Sequence, residues 1–201
     1  MKRLLAVLVL AVATWSPVRA QVIEFESNGL KYQTLTRSGV TLIFAQLPGQ
    51  VSGYSMIQVS VSNGSGAPYT IRPEDFSFVR SDGPAIRGEA AKDVVAMLSK
   101  RGSGADIIKL VVTYESSVYG NTHIRSTNGY EQRRLGALAM SSNRLRAAAT
   151  ASAIALVQTK LPAGESTDGA VFFSTAGKPM GAGKLVVRTN TDTFEFLPKT
   201  E

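Results

Sequence analysis

The hydrophobic pattern of this chain changes period twice. Between residues 30 and 80 the apolar positions fall in short runs of β-branched and aromatic residues: LKYQTLT (30–36), VTLIFAQL (40–47), YSMIQVSVS (54–62), YTIR (69–72) and FSFVR (76–80). Some alternate, as Ile57, Val59 and Val61 do against Met56, Gln58 and Ser60. A period of two sends successive side chains to opposite faces of a strand. Turn-forming clusters separate the runs: Ser38-Gly39, Pro48-Gly49, Asn63-Gly64-Ser65-Gly66 and Ser81-Asp82-Gly83-Pro84. The pattern returns in AIALVQTKL (153–161), GAVFFST (169–175), KLVVRT (184–189) and TFEFL (193–197). Short strands at this spacing, with no helical run between them, predict an antiparallel β-sandwich.

In the middle of the chain the period lengthens. Ala90, Ala91, Val94, Val95 and Leu98 share one helical face within 89–101. Ile107, Leu110, Val111, Tyr114 and Val118 do so within 106–118, although this β-branched run also fits a strand. Asn128, with Glu131 three positions later, resembles a capping box opening a helix over 129–140. RLRAAATASA (144–153) is helical by propensity. Glycine and serine clusters at 102–104, 120–122 and 141–143 break the segment. The expected organisation is a sandwich in two parts, 21–86 and 153–201, interrupted by a helical segment over 87–152.

Residues 1–20 stand apart. Lys2 and Arg3 precede the apolar run LLAVLVLAVA (4–13), Pro17 follows, and Val18-Arg19-Ala20 puts small residues at −3 and −1. This is the layout of a secretory signal peptide, with cleavage expected between Ala20 and Gln21. The run is about half of the ~20 residues a membrane span needs, and no later segment reaches that length. The sequence therefore predicts an exported protein, periplasmic or secreted, without a transmembrane span once the leader is removed.

Composition narrows the chemistry. There is no cysteine, which removes disulfides, thiolate–zinc sites and a lipid-modified cysteine. The single tryptophan is Trp15, within the leader. Removing 1–20 removes three basic residues, so the remainder carries 19 basic and 15 acidic side chains, a balance of +4. Residues 87–150 hold ten basic and five acidic ones, or +5. The flanks hold nine and ten, or −1. Such a modest excess does not suit nucleic acid, and none is expected as a partner.

Three stretches carry a resemblance. VSVSN (59–63) leads to RPEDFSFVRSDG (72–83), and LPAGESTDGAVFF (161–173) follows far downstream. Together they resemble the telokin-like, immunoglobulin-type domain of exported bacterial proteins. In that pattern a strand ends near an asparagine, a Pro-x-Asp-Phe strand enters an Asp-Gly turn, and a Pro-x-Gly-Glu turn precedes a Gly-x-Val-Phe-Phe strand. Gly83 and Gly164 suit turns of positive φ, and Phe76, Phe78 and Phe172 suit the space between two sheets. The resemblance covers roughly 117 residues outside the helical segment. It implies an immunoglobulin-like fold and an extracytoplasmic location, and brings no catalytic residues with it. With the helical segment read from the period, which has no counterpart in that pattern, the expected fold is mainly β: an immunoglobulin-like antiparallel β-sandwich with an inserted helical segment of three or four helices.

His123 is the only histidine and the natural general base, but no Gly-x-Ser-x-Gly elbow accompanies it. One histidine and no cysteine argue against a transition-metal site. Glu74-Asp75 reads as a turn in which Asp75 accepts backbone hydrogen bonds. Glu24 and Glu26 share a strand face beside the new N-terminus, where disorder is common. GKPMGAGKL (177–185) lacks the phosphate-loop spacing and has Leu185 where a hydroxyl is needed. No catalytic residue, metal or cofactor is implied.

What remains is YGNTHIRSTNGYEQRRL (119–135) and its continuation. Tyr119, His123, Arg125, Tyr130, Arg133, Arg134, Arg144 and Arg146 form the candidate binding set. Guanidinium groups suit bidentate contact with carboxylate or phosphate, and stack on tyrosine. The expected function is a non-catalytic interaction or scaffold protein of the bacterial cell envelope, whose helical segment contacts an anionic partner, an envelope protein or an anionic polymer. Two alternatives stand beside it. One is a hydrolase of an envelope polymer using His123. The other is a structural, oligomer-forming domain using the 107–118 face and the alanines of 144–153.

Overall fold

The computed structural model describes residues 21–119 and 129–196. The fold is mainly β, with several antiparallel sheets and four helices among the described residues. The largest sheet has the order β1-β2-β3-β4-β9, formed by β1 (Ile23–Ser27), β2 (Leu30–Arg37), β3 (Val40–Gln46), β4 (Tyr54–Asn63) and β9 (Ser166–Ser174). A second sheet has the order β11-β10-β6-β7, formed by β6 (Phe76–Arg80), β7 (Ala85–Arg87), β10 (Gly183–Arg188) and β11 (Thr193–Phe196). A third pairs β5 (Tyr69–Ile71) with β8 (Thr159–Leu161). The strand pairs within these sheets are antiparallel.

The two larger sheets share one core. Leu42, Phe44, Ile57, Val59, Val61, Val171 and Phe173 come from the first, and Phe76, Phe78, Leu185, Val187, Phe194 and Phe196 from the second. Phe44 meets Phe196 edge-on at 4.9 Å between ring centroids. The inward face of β4 is therefore the one its alternation predicts. Its other face is not wet, however: Met56 and Gln58 are also buried.

The helices cover that second face. They are α1 (Ala91–Arg101), α2 (Gly104–Tyr119), α3 (Tyr130–Leu138) and α4 (Asn143–Ile154). Val94, Leu98, Leu110, Tyr114, Val118, Tyr130, Ala151 and Ile154 pack with Met56, Ala170 and Phe172 of the sheet. Burying side chains such as Met56 and Phe172 contributes about 1.5–3 kcal/mol each. Alanine-rich α4 lies at the centre of the layer, against each of the other three helices. Ala147, Ala148, Ala151 and Ala153 are buried there, and their small side chains let the helices approach closely.

Several expectations need correction. The stretch 153–161 is not one strand: α4 continues through Ile154, and only Thr159–Leu161 forms β8. Ala153 and Ile154 are buried against the sheet, so packing extends the helix. The 106–118 run, by contrast, is the helix its period predicts. Phe172 faces the helices while Phe173 fills the space between sheets. Gly164 has φ 82°, but Gly83 does not adopt positive φ. Pro73–Asp75 is a 3-10 turn rather than strand. α3 starts at Tyr130 with Gly129, φ 69°, as its N-cap; Asn128, on which the capping-box expectation rests, lies outside the described residues. Ile23–Ser27, where disorder is expected, form edge strand β1, in which Phe25 stacks on Tyr32 at 5.1 Å.

Candidate functional site

The helices are tied to the sheet by buried polar contacts. Tyr114 donates its hydroxyl to Asp168 Oδ2 at 2.7 Å, and Tyr32 donates to the Ser117 carbonyl at 2.8 Å. Tyr114 also meets Tyr130 edge-on at 5.1 Å. Tyr130 donates to Glu115 Oε1 at 3.0 Å, and the same oxygen lies 2.6 Å from Arg134 Nε. Burial pushes the Tyr130 phenol up, and the Glu115 carboxylate pushes it further, with Arg134 opposing. At the other end of α2, Asp106 accepts from the backbone and hydroxyl of both Ser52 and Ser103, at 2.7–3.1 Å. Gln58, fully buried below, has no side-chain hydrogen-bond partner among the described residues. Tyr114, Asp168 and Asp106 are 0%, 3% and 6% exposed. A substrate cannot reach such groups, and their geometry is that of structural ties.

The eight sequence candidates do not form one cluster. His123 and Arg125 lie outside the described residues. Tyr119 is exposed at the end of α2, whereas Tyr130 is 2% exposed and belongs to the helix–sheet core. Arg134 is half-buried on Glu115, with Glu131 at 3.9 Å. Arg133 donates to the Ala153 carbonyl at 3.0 Å, near the end of α4. Arg146 reaches the Met140 carbonyl at 3.0 Å and Asn143 Oδ1 at 3.3 Å, near the start of the same helix. Helices α3 and α4 thus run antiparallel, and their arginines sit at opposite ends of the pair. Arg144 is exposed and makes no ion pair among the described residues.

The helices also expose apolar side chains that the sequence reading missed. Ile108, Val112, Leu135, Leu138, Met140 and Leu145 are exposed. Ile108 and Val112 lie one turn apart, opposite the buried Leu110 and Tyr114. The signal was present in the sequence: a helix with apolar residues on both faces is normally covered on both.

Elsewhere, a cleft of about 700 Å³ opens where the large sheet extends beyond the smaller one. Phe44, Phe78, Leu185 and Phe196 lie at its base, and Glu24, Glu26 and Lys31 along its wall. Glu24 is held by Gln33, whose amide donates to it at 2.6 Å. The 177–185 stretch is a loop running into β10, and its Met180 is buried in the inter-sheet core. Asp75 accepts from the Arg72 backbone at 3.0 Å and pairs with its guanidinium at 2.9 Å, as the turn reading expects. Among the described residues no group of three acidic or histidine side chains is arranged to hold a metal. No described helix is long and apolar enough to cross a membrane.

No family model, curated protein or solved structure matches the chain.

Proposed function

We propose that this chain is an exported, non-catalytic interaction protein of the bacterial cell envelope, in which an immunoglobulin-like, telokin-like sandwich carries a helical layer that contacts an anionic partner. The observation that carries the reading is the way the layer distributes its charge. Of the five acids in 87–150, Asp106 is buried under hydrogen bonds and Glu115 is engaged by Arg134 and Tyr130. Lys100, Arg101, Lys109, Arg133 and Arg144 all remain exposed. Among the described residues of the segment, seven basic side chains are exposed (Arg87 and Lys92 with these five) against two acids, Asp93 and Glu131, so its basic excess lies on the surface.

The sandwich assignment is supported by contacts among the residues that carry the resemblance. The Asn63 amide donates to the carbonyls of Leu161 and Pro162 at 3.0 and 3.1 Å, and Asn63 exchanges backbone hydrogen bonds with Gly164 and Glu165. The end of VSVSN thus grips LPAGE. The leader at 1–20 supports export.

Cross-linked capture from envelope extract tests the reading. Residues 21–201 hold every described element, and capture by this chain is compared with capture by Arg133→Gln/Arg144→Gln. That variant spares Arg134 and its pair with Glu115. A partner held by the first, weakened by salt and lost by the second is the expected result. Capture indifferent to both salt and substitution contradicts it.

A further inference from the structure

We infer that edge strand β1 is a second docking site, for an extended polypeptide segment in which basic and apolar side chains alternate. It uses none of the arginines of the helical layer, and its partner carries the opposite charge. Asn28 and Gly29, at φ 50° and 73°, make the two-residue turn that joins β1 to β2. Such a turn makes Ser27 and Leu30 a hydrogen-bonded pair, and alternation does the same for Phe25 with Tyr32 and Ile23 with Thr34. The backbone N–H and C=O groups of Glu24 and Glu26 therefore face away from β2. No described strand pairs with them there, since β1 ends the order of the large sheet. An incoming strand meets donors and acceptors already spaced for it.

The side chains of β1 select the kind of strand. Glu24 and Glu26 line the 700 Å³ cleft, with Phe44, Phe78, Leu185 and Phe196 at its base. Glu24 accepts from Gln33 through one oxygen, and Glu26 makes no ion pair among the described residues, although Lys31 stands opposite it in register. Residues paired with Glu24 and Glu26 put their side chains on the same face as the two carboxylates. A lysine or arginine there meets a carboxylate and can lay its aliphatic stem over the aromatic base. On the other face Ile23 is 60% exposed and Phe25 half-buried, so β-branched or aromatic residues between the basic ones would cover them. A second copy of β1 fits poorly, because antiparallel pairing about Phe25 sets Glu24 of each copy against Glu26 of the other.

Fluorescence anisotropy with a short labelled peptide of alternating lysine and valine tests the inference. Residues 21–201 are titrated into it and into two controls. One control has glutamate in place of lysine; the other is N-methylated at alternate residues, so that it cannot pair as a strand. The lysine peptide alone should bind. Glu24→Gln/Glu26→Gln, which keeps the shape of both side chains, should bind it roughly ten-fold more weakly, with unchanged circular dichroism. Amide hydrogen exchange locates the contact: Phe25 is protected by β2 in the free chain, and the peptide should add protection at Glu24 and Glu26. No binding of the lysine peptide, equal binding of either control, indifference to the double substitution, or protection elsewhere overturns the inference. Protection of Glu24 and Glu26 that rises with protein concentration alone would give the edge to a second copy, and overturns it too.

Discussion

At the scale of single residues, charge and hydrogen bonding decide which side chains are free to act. Burial alone would raise the Asp106 carboxyl, but the hydrogen bonds from Ser103 and Ser52 outweigh it and hold it below its ordinary value of 3.8. A depressed folded-state value means that the stabilisation is complete above 3.8 and is lost as pH falls through the folded value. Asp106→Asn should therefore cost about 1–2 kcal/mol near neutrality, and its deficit relative to the native chain should shrink in acid. Urea unfolding of both proteins across pH reads this; a deficit that grows in acid contradicts it. Tyr114→Phe leaves shape intact and removes the 2.7 Å bond to Asp168. The expected loss is about 1–3 kcal/mol in the same measurement, because a buried acceptor loses a donor.

At the scale of elements, the clearest constraint is where the chain leaves α4. Leu156 donates its backbone N–H to the Ala170 carbonyl at 2.8 Å, and Ala155 makes a parallel bridge to Ala170. A Cβ placed on Gly169 would lie 2.7 Å from the Leu156 backbone nitrogen and Cα. Gly169→Ala should push the α4 exit off β9 and cost about 1–3 kcal/mol, as overpacking does, with faster hydrogen exchange at Leu156. The periodicity made most strands legible, because β2, β3, β4 and β6 each combine β-branched or aromatic runs with flanking turns. β1 was hidden because IEFES reads as polar: it stays largely exposed, and only Phe25 is half-buried, stacked on Tyr32 in the neighbouring strand. The join of α4 to 155–161 was misread because Ala153, Ile154, Ala155 and Leu156 suit either period, and packing on the sheet decides between them. The basic excess of the segment was legible, but not that its arginines lie at opposite ends of the α3–α4 pair; the exposed apolar side chains were overlooked, and Tyr130 could not be known as buried before its bond to Glu115 was seen.

At the scale of the whole molecule, the helices form a third layer upon the sheets, and strands β4 and β9 of the large sheet are buried on both faces. Replacing 89–154 by a short linker would expose Met56, Ala170 and Phe172 together with the unpartnered Gln58. The shortened chain should be insoluble or bind a dye for exposed apolar surface; a soluble, cooperatively unfolding product would mean the helical segment is a separable insertion. The same layering leaves one side of the molecule to the inter-sheet scaffold and the other to basic, apolar-studded helices. We propose that this second side is the working surface. Hydrogen exchange of residues 21–201, alone and with envelope extract, tests it most directly. Protection concentrated on α2, α3 and the start of α4 is the predicted result. Protection centred instead on the Glu24–Glu26 cleft, or no protection anywhere, would contradict it.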